Sequence, residues 1–267
     1  MIKAYRIEDG SKFRLKDFDP DDSSEVTGRV QAEADTAKDL KTLFELQEKF
    51  YVDKRRALLI VLQAMDTAGK DGTVDHVFSG INPSGCKVTS FKRPTEAELA
   101  QDFLWRVHQE VPAKGQFGIF NRSHYEDVLV VRVHDLVPKP VWMKRYEHIA
   151  NFERMLADSG TVIVKFFLHI SKDEQRARLQ ERLDNKEKLW KFDPGDLKER
   201  ESWDQYMEAY EDVIRKTSAP HAPWYVIPAN KKWYRNLLVA RVLLRTLEKL
   251  DYKLPKLSFV PSEMKVK

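Results

Sequence analysis

Five short apolar runs, each followed by a stretch of helix length, constrain this chain more than any other feature. They are residues 57–64 (ALLIVLQA), 87–91 (KVTSF), 115–120 (GQFGIF), 161–170 (TVIVKFFLHI) and 224–229 (WYVIPA). The first and fourth lack the polar alternation of a strand with one wet face, which suits strands buried on both faces. Helical patterns fill the gaps at about 71–80, 95–110, 146–158, 172–190, 200–217 and 231–250. A long charged helix, Arg29 to Lys54, comes before them, with Leu40, Leu43, Phe44, Leu46 and Phe50 on its apolar side. Strands alternating with helices predict repeated βαβ units: an α/β fold whose parallel sheet lies between two helical layers. Residues 127–137 read equally well as strand or helix. The first 28 residues read as an extended, loosely held arm, residues 29–255 as one domain, and 256–267 as a tail.

Composition narrows the function classes. Hydrophobic residues make up 42% of the 267, enough for a sizeable core, which excludes global disorder. Charged residues reach 33% with a net charge of +4, which permits a polyanionic partner without demanding one. Cys86 is the only cysteine, so an intrachain disulfide and a cysteine-based zinc cluster are both excluded. The N-terminus has no apolar leader, and no stretch approaches the roughly 18 apolar residues of a membrane span. The expectation is a cytoplasmic protein with no membrane partner.

Ligands of such sheets bind beyond the carboxyl ends of the strands. The first strand runs straight into MDTAGKDGT (65–73) and then a helix. This resembles a phosphate loop, but Ala64 replaces the first glycine and Asp71 the hydroxyl after Gly69-Lys70. Backbone N–H groups at such a turn cradle phosphate oxygens, and Lys70 supplies a point charge. Asp66 and Asp71 would repel an anion unless a divalent cation lies between carboxylate and phosphate, and Mg²⁺ prefers such oxygen ligands. The bland alternative is an ordinary strand-turn-helix with a solvated lysine.

Three further clusters bear on chemistry. GIFNRSHYEDV (118–128) places Asn121, Arg122, Glu126 and Asp127 at the end of another strand. Arg122 can clamp phosphate oxygens there, although Ser123 and Glu126 also read as an N-cap and its capping-box partner. Lys92, Arg93 and Pro94 follow the second strand and suit an acceptor phosphate, and Thr95 with Glu98 makes a capping box. Arg178, Arg182 and Lys186 recur at i, i+4 and i+8, with Leu179, Leu183 and Trp190 free to face the core. That stripe is either a solvated face laced by Glu174–Arg178, Asp184–Lys188 and Glu187–Lys191 pairs, or a mobile lid over about 172–196 carrying arginines to a transition state.

Taken together, QAMDTAGKDGT (63–73), FNRSHYEDV (120–128), FERML (152–156), VKFFLHIS (164–171) and PWYVIPANKKWYRN (223–236) resemble the polyphosphate kinase 2 family, over about residues 30–255. The resemblance implies a three-layer phosphate-loop kinase fold like that of thymidylate kinase, with a helical lid. It implies reversible phosphoryl transfer between inorganic polyphosphate and nucleotides, in the class III manner: AMP to ADP and ADP to ATP, with GMP and GDP as further acceptors. Mg²⁺ is the implied metal, with Mn²⁺ as its substitute, and the implied assembly is a homo-oligomer, dimer or tetramer, without nucleic acid.

The residues and the resemblance together assign catalysis to Asp66, Lys70, Asp71, Arg122, Glu126, Arg178 and Arg182, of which the family's own motifs match Asp66, Lys70, Asp71 and Arg122. Polyphosphate binding falls to Ala68, Gly69, Lys70, Gly72, Thr73, Arg122, Arg178, Arg182 and Lys186. Nucleotide binding falls to Lys92, Arg93, Pro94, Asn121 and Asp127, and metal binding to Asp66, Asn121 and Glu126. The family usually has aspartate where Asn121 stands, so the second metal ligand is open. Two other readings stay open on the residues: an ATP-dependent nucleoside monophosphate kinase, and a non-catalytic module that binds RNA or another polyanion.

Overall fold

The computed structural model describes residues 2–255 and Met264; the rest of the expected 256–267 tail lies outside the described residues. A six-stranded sheet organises the chain, in the order β1-β6-β5-β2-β4-β3. Its strands are β1 (Arg6–Ile7), β2 (Ala57–Gln63), β3 (Cys86–Ser90), β4 (Phe117–Asn121), β5 (Thr161–His169) and β6 (Trp224–Pro228). All pairings are parallel except β1 with β6. The five strands read from the sequence are therefore present within two residues of their expected ends. All seven residues of β2 are buried, which explains why that run shows no alternation.

Two helical layers cover the sheet. One contains α1 (Arg29–Asp53), α2 (Lys70–Phe78) and α10 (Lys232–Glu248), with α10 packed on α1, α2 and β6. The other contains α5 (Val130–Val133), α6 (Lys139–Asp158) and α9 (Trp203–Thr217), with α6 packed on β5 and α9. Two single turns, α3 (Glu96–Leu99) and α4 (Trp105–His108), lie between β3 and β4, and α7 (Lys172–Asp184) and α8 (Pro194–Glu201) follow β5. No helix among the described residues is long and apolar enough to cross a membrane.

Three local expectations need correction. The arm is docked: Arg6 and Ile7 pair with Tyr225 and Trp224, while Tyr5, Phe13 and Leu15 are buried. A two-residue strand is too short to show periodicity in the sequence. The helix expected over 95–110 is broken in the middle, where the Asp102 side chain accepts the Leu104 N–H at 2.9 Å and starts a new turn. Its Thr95–Glu98 capping box is present as read. The helix expected over 172–190 ends at Asp184, so Lys186 is not on the basic stripe; Lys188 pairs with Glu181 at 2.5 Å, and Trp190 is 78% exposed. The ambiguous 127–137 segment closes a 3-10 turn at Asp127 and then forms α5, with no strand.

Candidate active site

The site follows from strand register. Leu62 of β2 lies beside Asn121 of β4, and the Arg122 N–H donates to the Leu62 carbonyl at 3.1 Å. The loops leaving the two strands therefore emerge side by side. The chain winds from β2 toward β3 and β4 on one side and toward β5 and β6 on the other, so this crevice is where such folds hold ligands. Both loops carry strained backbone: Thr67 has φ 63° and Arg122 φ 60°, positions that non-glycine residues hold only when their surroundings over-determine them.

Gly69 is the N-cap of α2, with φ 101° and no side-chain cap, so the first N–H groups of the helix face outward unpaired. A Cβ at Gly69 would lie 1.8 Å from Nη1 of Arg235, so any side chain there is strained by the backbone and must displace the guanidinium. Lys70 Nζ is buried and turned back on the strand end, donating to the Ala64 carbonyl at 2.8 Å and to Met65 at 3.4 Å. Burial pulls its pKa down, with Arg122 adding to the effect against the opposing carboxylates of Asp66, Glu126 and Asp71. Among the described residues no carboxylate pairs directly with the ammonium.

Arg122 joins the loops, its guanidinium 2.6 Å from Asp66 and 3.7 Å from Glu126. Burial opposes its charge, but Glu126 and Asp66 outweigh that and raise its pKa. Asn121 Nδ2 donates to Asp71 at 2.6 Å, leaving its amide oxygen available. Burial pushes the Glu126 carboxyl up, and Asp66 adds to it. Asp66, Lys70, Asp71, Asn121, Arg122 and Glu126 thus form one cluster in which opposite charges alternate. Ser123 does cap the turn after Arg122, accepting the Tyr125 N–H at 3.2 Å, while Glu126 faces Lys70 and Arg122 and closes no capping box.

Other expected residues are placed differently. Thr73 is fully buried, its hydroxyl donating to the Gly69 carbonyl at 2.9 Å, so it shapes the loop from within. Arg178 is 6% exposed with its donors committed: Nε to Glu174, Nη1 to the Thr67 and Ala68 carbonyls, and Nη2 to those of Ala229 and Asn230. It holds the phosphate loop and the end of β6 together. Arg182 bonds the Lys191 carbonyl at 2.9 Å and Asp196 at 3.2 Å, so both of these contacts lie within its own segment. Lys92, Arg93 and Pro94 lie beyond β3, where Arg106 donates to the Lys92 carbonyl at 2.8 Å. Asp127 is buried against Arg145 at 2.9 Å, and burial pushes its pKa up to about 6.

Several residues escaped the sequence reading. Gln175 Nε2 donates to the Asp66 carbonyl at 3.1 Å, and Gln63 Nε2 to Ser123 at 3.0 Å. Asp196 on α8 feels the Asp66 charge, and burial with that charge raises it to about 6. Arg235 underlies Gly69. The stretch 223–236 carries part of the family resemblance, but nothing in its spacing assigns Arg235 a role. Among the described residues no three His, Cys, Asp or Glu side chains form a metal cage. The candidate donors, the Asp66 and Glu126 carboxylates beside Arg122 and the Asn121 amide oxygen, are all hard oxygens. Mg²⁺ commonly takes only one or two carboxylates and completes its shell with water and substrate phosphate, so the residues present fit that ion.

The arrangement is that of a site that holds phosphates on a helix N-terminus and transfers between them. Comparison with known proteins agrees. The polyphosphate kinase 2 family profile matches residues 27–255. The chain is 62% identical to the AMP/ADP-polyphosphate phosphotransferase of Meiothermus ruber over 95% of its own length and 96% of that protein. It is 44% identical to the ADP-polyphosphate phosphotransferase of Rhodopseudomonas palustris, over 95% of this chain and 92% of that one. The crystal structure of polyphosphate kinase 2 from Arthrobacter aurescens superposes with a TM-score of 0.92 at 46% identity, covering 96% of this chain and 92% of that one. On its residues, its fold and these likenesses, the chain belongs to the polyphosphate kinase 2 family.

Proposed function

We propose that this protein transfers phosphoryl groups between inorganic polyphosphate and nucleotides, with both AMP and ADP as acceptors. The observation that carries the reading is the pairing of an uncapped helix N-terminus and Lys70 with a neighbouring cluster of carboxylates bridged by Arg122. A donor made only of phosphates needs charge neutralisation and in-line positioning, and presents no base to recognise. The likeness to a relative named for both AMP and ADP supports the choice of acceptors.

The terminal phosphoryl group leaves the polyphosphate chain and joins a terminal oxygen of the nucleotide phosphate. One P–O–P anhydride breaks and one forms, so the reaction runs readily in either direction. The acceptor oxygen is already anionic and requires no strong general base. Loop N–H groups and Lys70 hold the donor end, and Lys70 turns from the Ala64 carbonyl toward the phosphate as it enters. Arg122 steadies charge spreading over the equatorial oxygens. Asp66, Glu126 and Asn121 would hold Mg²⁺, which would supply positive charge to offset that of the phosphates. Lys92 and Arg93, in the loop after β3, would receive the acceptor phosphate. Magnesium and a homo-oligomeric assembly belong to the same proposal.

A donor swap tests it. Purified protein with Mg²⁺ receives AMP or ADP together with either long-chain polyphosphate or ATP, and nucleotide products are separated by chromatography. ADP and ATP should form from polyphosphate with both acceptors. Turnover from ATP alone would make the protein an ordinary nucleotide kinase.

A further inference from the structure

The donor side of the phosphate loop holds a charge that the chemistry above does not use. Arg235, in the first turn of α10, is 3% exposed. Its Nη1 donates to the Ala68 carbonyl at 3.2 Å, and its Nε and Nη2 both donate to the Asn236 side-chain oxygen, at 3.1 and 2.8 Å. Among the described residues it makes no ion pair. Its charged neighbour is Arg178, whose Nη1 donates to the same Ala68 carbonyl at 3.1 Å.

The guanidinium lies directly behind the loop backbone. A Cβ at Gly69 would meet its Nη1 at 1.8 Å, and one at Gly72 would lie 3.6 Å from its Nη2. Gly69 therefore leaves room for a cation against the turn, while a Cβ at Gly72 would lie at ordinary van der Waals distance from it. That turn is also the N-terminus of α2, where the aligned peptides present positive partial charge. Two buried guanidiniums and a positive helix end thus converge without a carboxylate at Arg235. A buried charge of this kind is costly unless something compensates it. Burial and Arg178 pull the Arg235 pKa down to about 10, in keeping with an uncompensated cation. Lys232, one turn earlier, is also held below its ordinary value by burial and by Arg178.

We infer that Arg235 is a positioning residue for the phosphoryl donor: a buried cation whose compensating charge is the polyphosphate itself, acting through the loop backbone without touching the ligand. Its donation to Ala68 turns that carbonyl inward, away from the incoming anion, and its charge deepens the well at the loop N–H groups. The inference rests on the polyphosphate reading of the site. It makes two demands that a mere strut would not. Removing the charge should leave the unliganded protein at least as stable, and the same change should weaken donor binding while sparing the acceptor.

The test compares wild type with Arg235→Met, which keeps the length and apolar stem, and Arg235→Lys, which keeps the charge. Thermal midpoints are read with and without inorganic tripolyphosphate, the tripolyphosphate Kd is measured by calorimetry, and KM is determined separately for polyphosphate and ADP. Arg235→Met should keep or raise the unliganded midpoint and weaken tripolyphosphate binding by about tenfold or more, a clear loss on the affinity scale. It should raise KM for polyphosphate and leave KM for ADP alone, and Arg235→Lys should recover part of the loss. A lower unliganded midpoint with unchanged tripolyphosphate affinity would make Arg235 a strut and overturn the inference. If Arg235→Met fails to fold, Arg235→Gln takes its place under the same criteria. Wild-type protein that tripolyphosphate does not stabilise, and that turns over no polyphosphate, would instead sink the functional reading.

Discussion

Lys70 shows how one residue links the resting and working states of the site. Its ammonium is tied to two strand-end carbonyls, so the loop stays assembled without phosphate. Lys70→Met removes both that tether and the charge on the donor. Turnover from polyphosphate should fall by two orders of magnitude or more, about the size reported for single electrostatic contacts in transition states, with the fold retained by circular dichroism. Near wild-type turnover would remove Lys70 from the mechanism. Gly69→Ala is a sharper test of geometry, because the new methyl group meets both an unfavourable φ of 101° and the Arg235 guanidinium. It should abolish polyphosphate binding in calorimetry, whereas Gly72→Ala, with 3.6 Å to the nearest Arg235 atom, should keep most of it.

At the scale of elements, the segment α7–α8 borders the phosphate loop, and its charges make it sensitive to pH. Arg182 holds Asp196 at 3.2 Å, and Arg200 reaches back to Gln175 at 3.0 Å, the residue that steadies the Asp66 backbone. Asp196 and Asp127 are both raised from 3.8 to about 6. A carboxyl raised by folding binds its proton more tightly in the folded state. Between about pH 4 and 6 these two groups therefore hold more protons in the folded state, and their contribution to stability declines as pH rises through that window. Asp196→Asn removes one of these groups, so its thermal midpoint should decline less than wild type from pH 4 to 7. Parallel curves would show that Asp196 does not sense its surroundings in this way.

A second element-level device lies behind the Arg122 loop. Lys165 of β5 donates to Glu153 of α6 at 2.5 Å, to Tyr125 at 2.9 Å and to the Thr217 carbonyl at 2.8 Å, all buried. Glu153 also accepts from Tyr125 at 2.7 Å and lies 3.2 Å from His124. The network anchors the two residues that follow Ser123, and through them the strained φ of Arg122. Lys165→Met alone strands the buried carboxylate and should cost about 3–5 kcal/mol in urea denaturation. The double change Lys165→Met with Glu153→Leu should restore much of that stability while turnover stays low. Restored turnover would separate the network from the site.

Over the whole molecule, the arm closes the sheet. β1 covers the edge of β6, Tyr5 hydrogen-bonds Asp22 and lies 2.9 Å from the Tyr234 hydroxyl, and the Leu15 N–H donates to Glu211 at 2.8 Å. Deleting residues 1–19 would expose the β6 edge and the apolar surface now covered by Tyr5, Phe13 and Leu15. Each buried side chain of this size stabilises by about 1.5–3 kcal/mol, so the truncated protein should unfold at clearly lower urea and aggregate through its open edge. A soluble truncation of unchanged stability would mean that the arm is dispensable to the fold.

What the sequence determined by itself was local and periodic. Five strands, the long helices and the loop 65–73 were legible because burial on both faces, a 3.6-residue period and the Gly-Lys turn each leave a pattern within a dozen residues. Asp66, Lys70, Asp71, Arg122 and Glu126 were legible because charged residues at strand ends have few structural reasons to be there. Only the tertiary structure decided which charges stayed free. Arg178 and Arg182 read as one stripe, yet Arg178 has its donors committed to carbonyls of two distant loops. Arg235 read as one helix residue among many, and only the packing of α10 on α2 sets it behind Gly69. Docking of the arm on β6 was likewise decided by contact between residues some 220 positions apart. Such partners are joined by the fold and not by spacing along the chain, so no period in the sequence carries them.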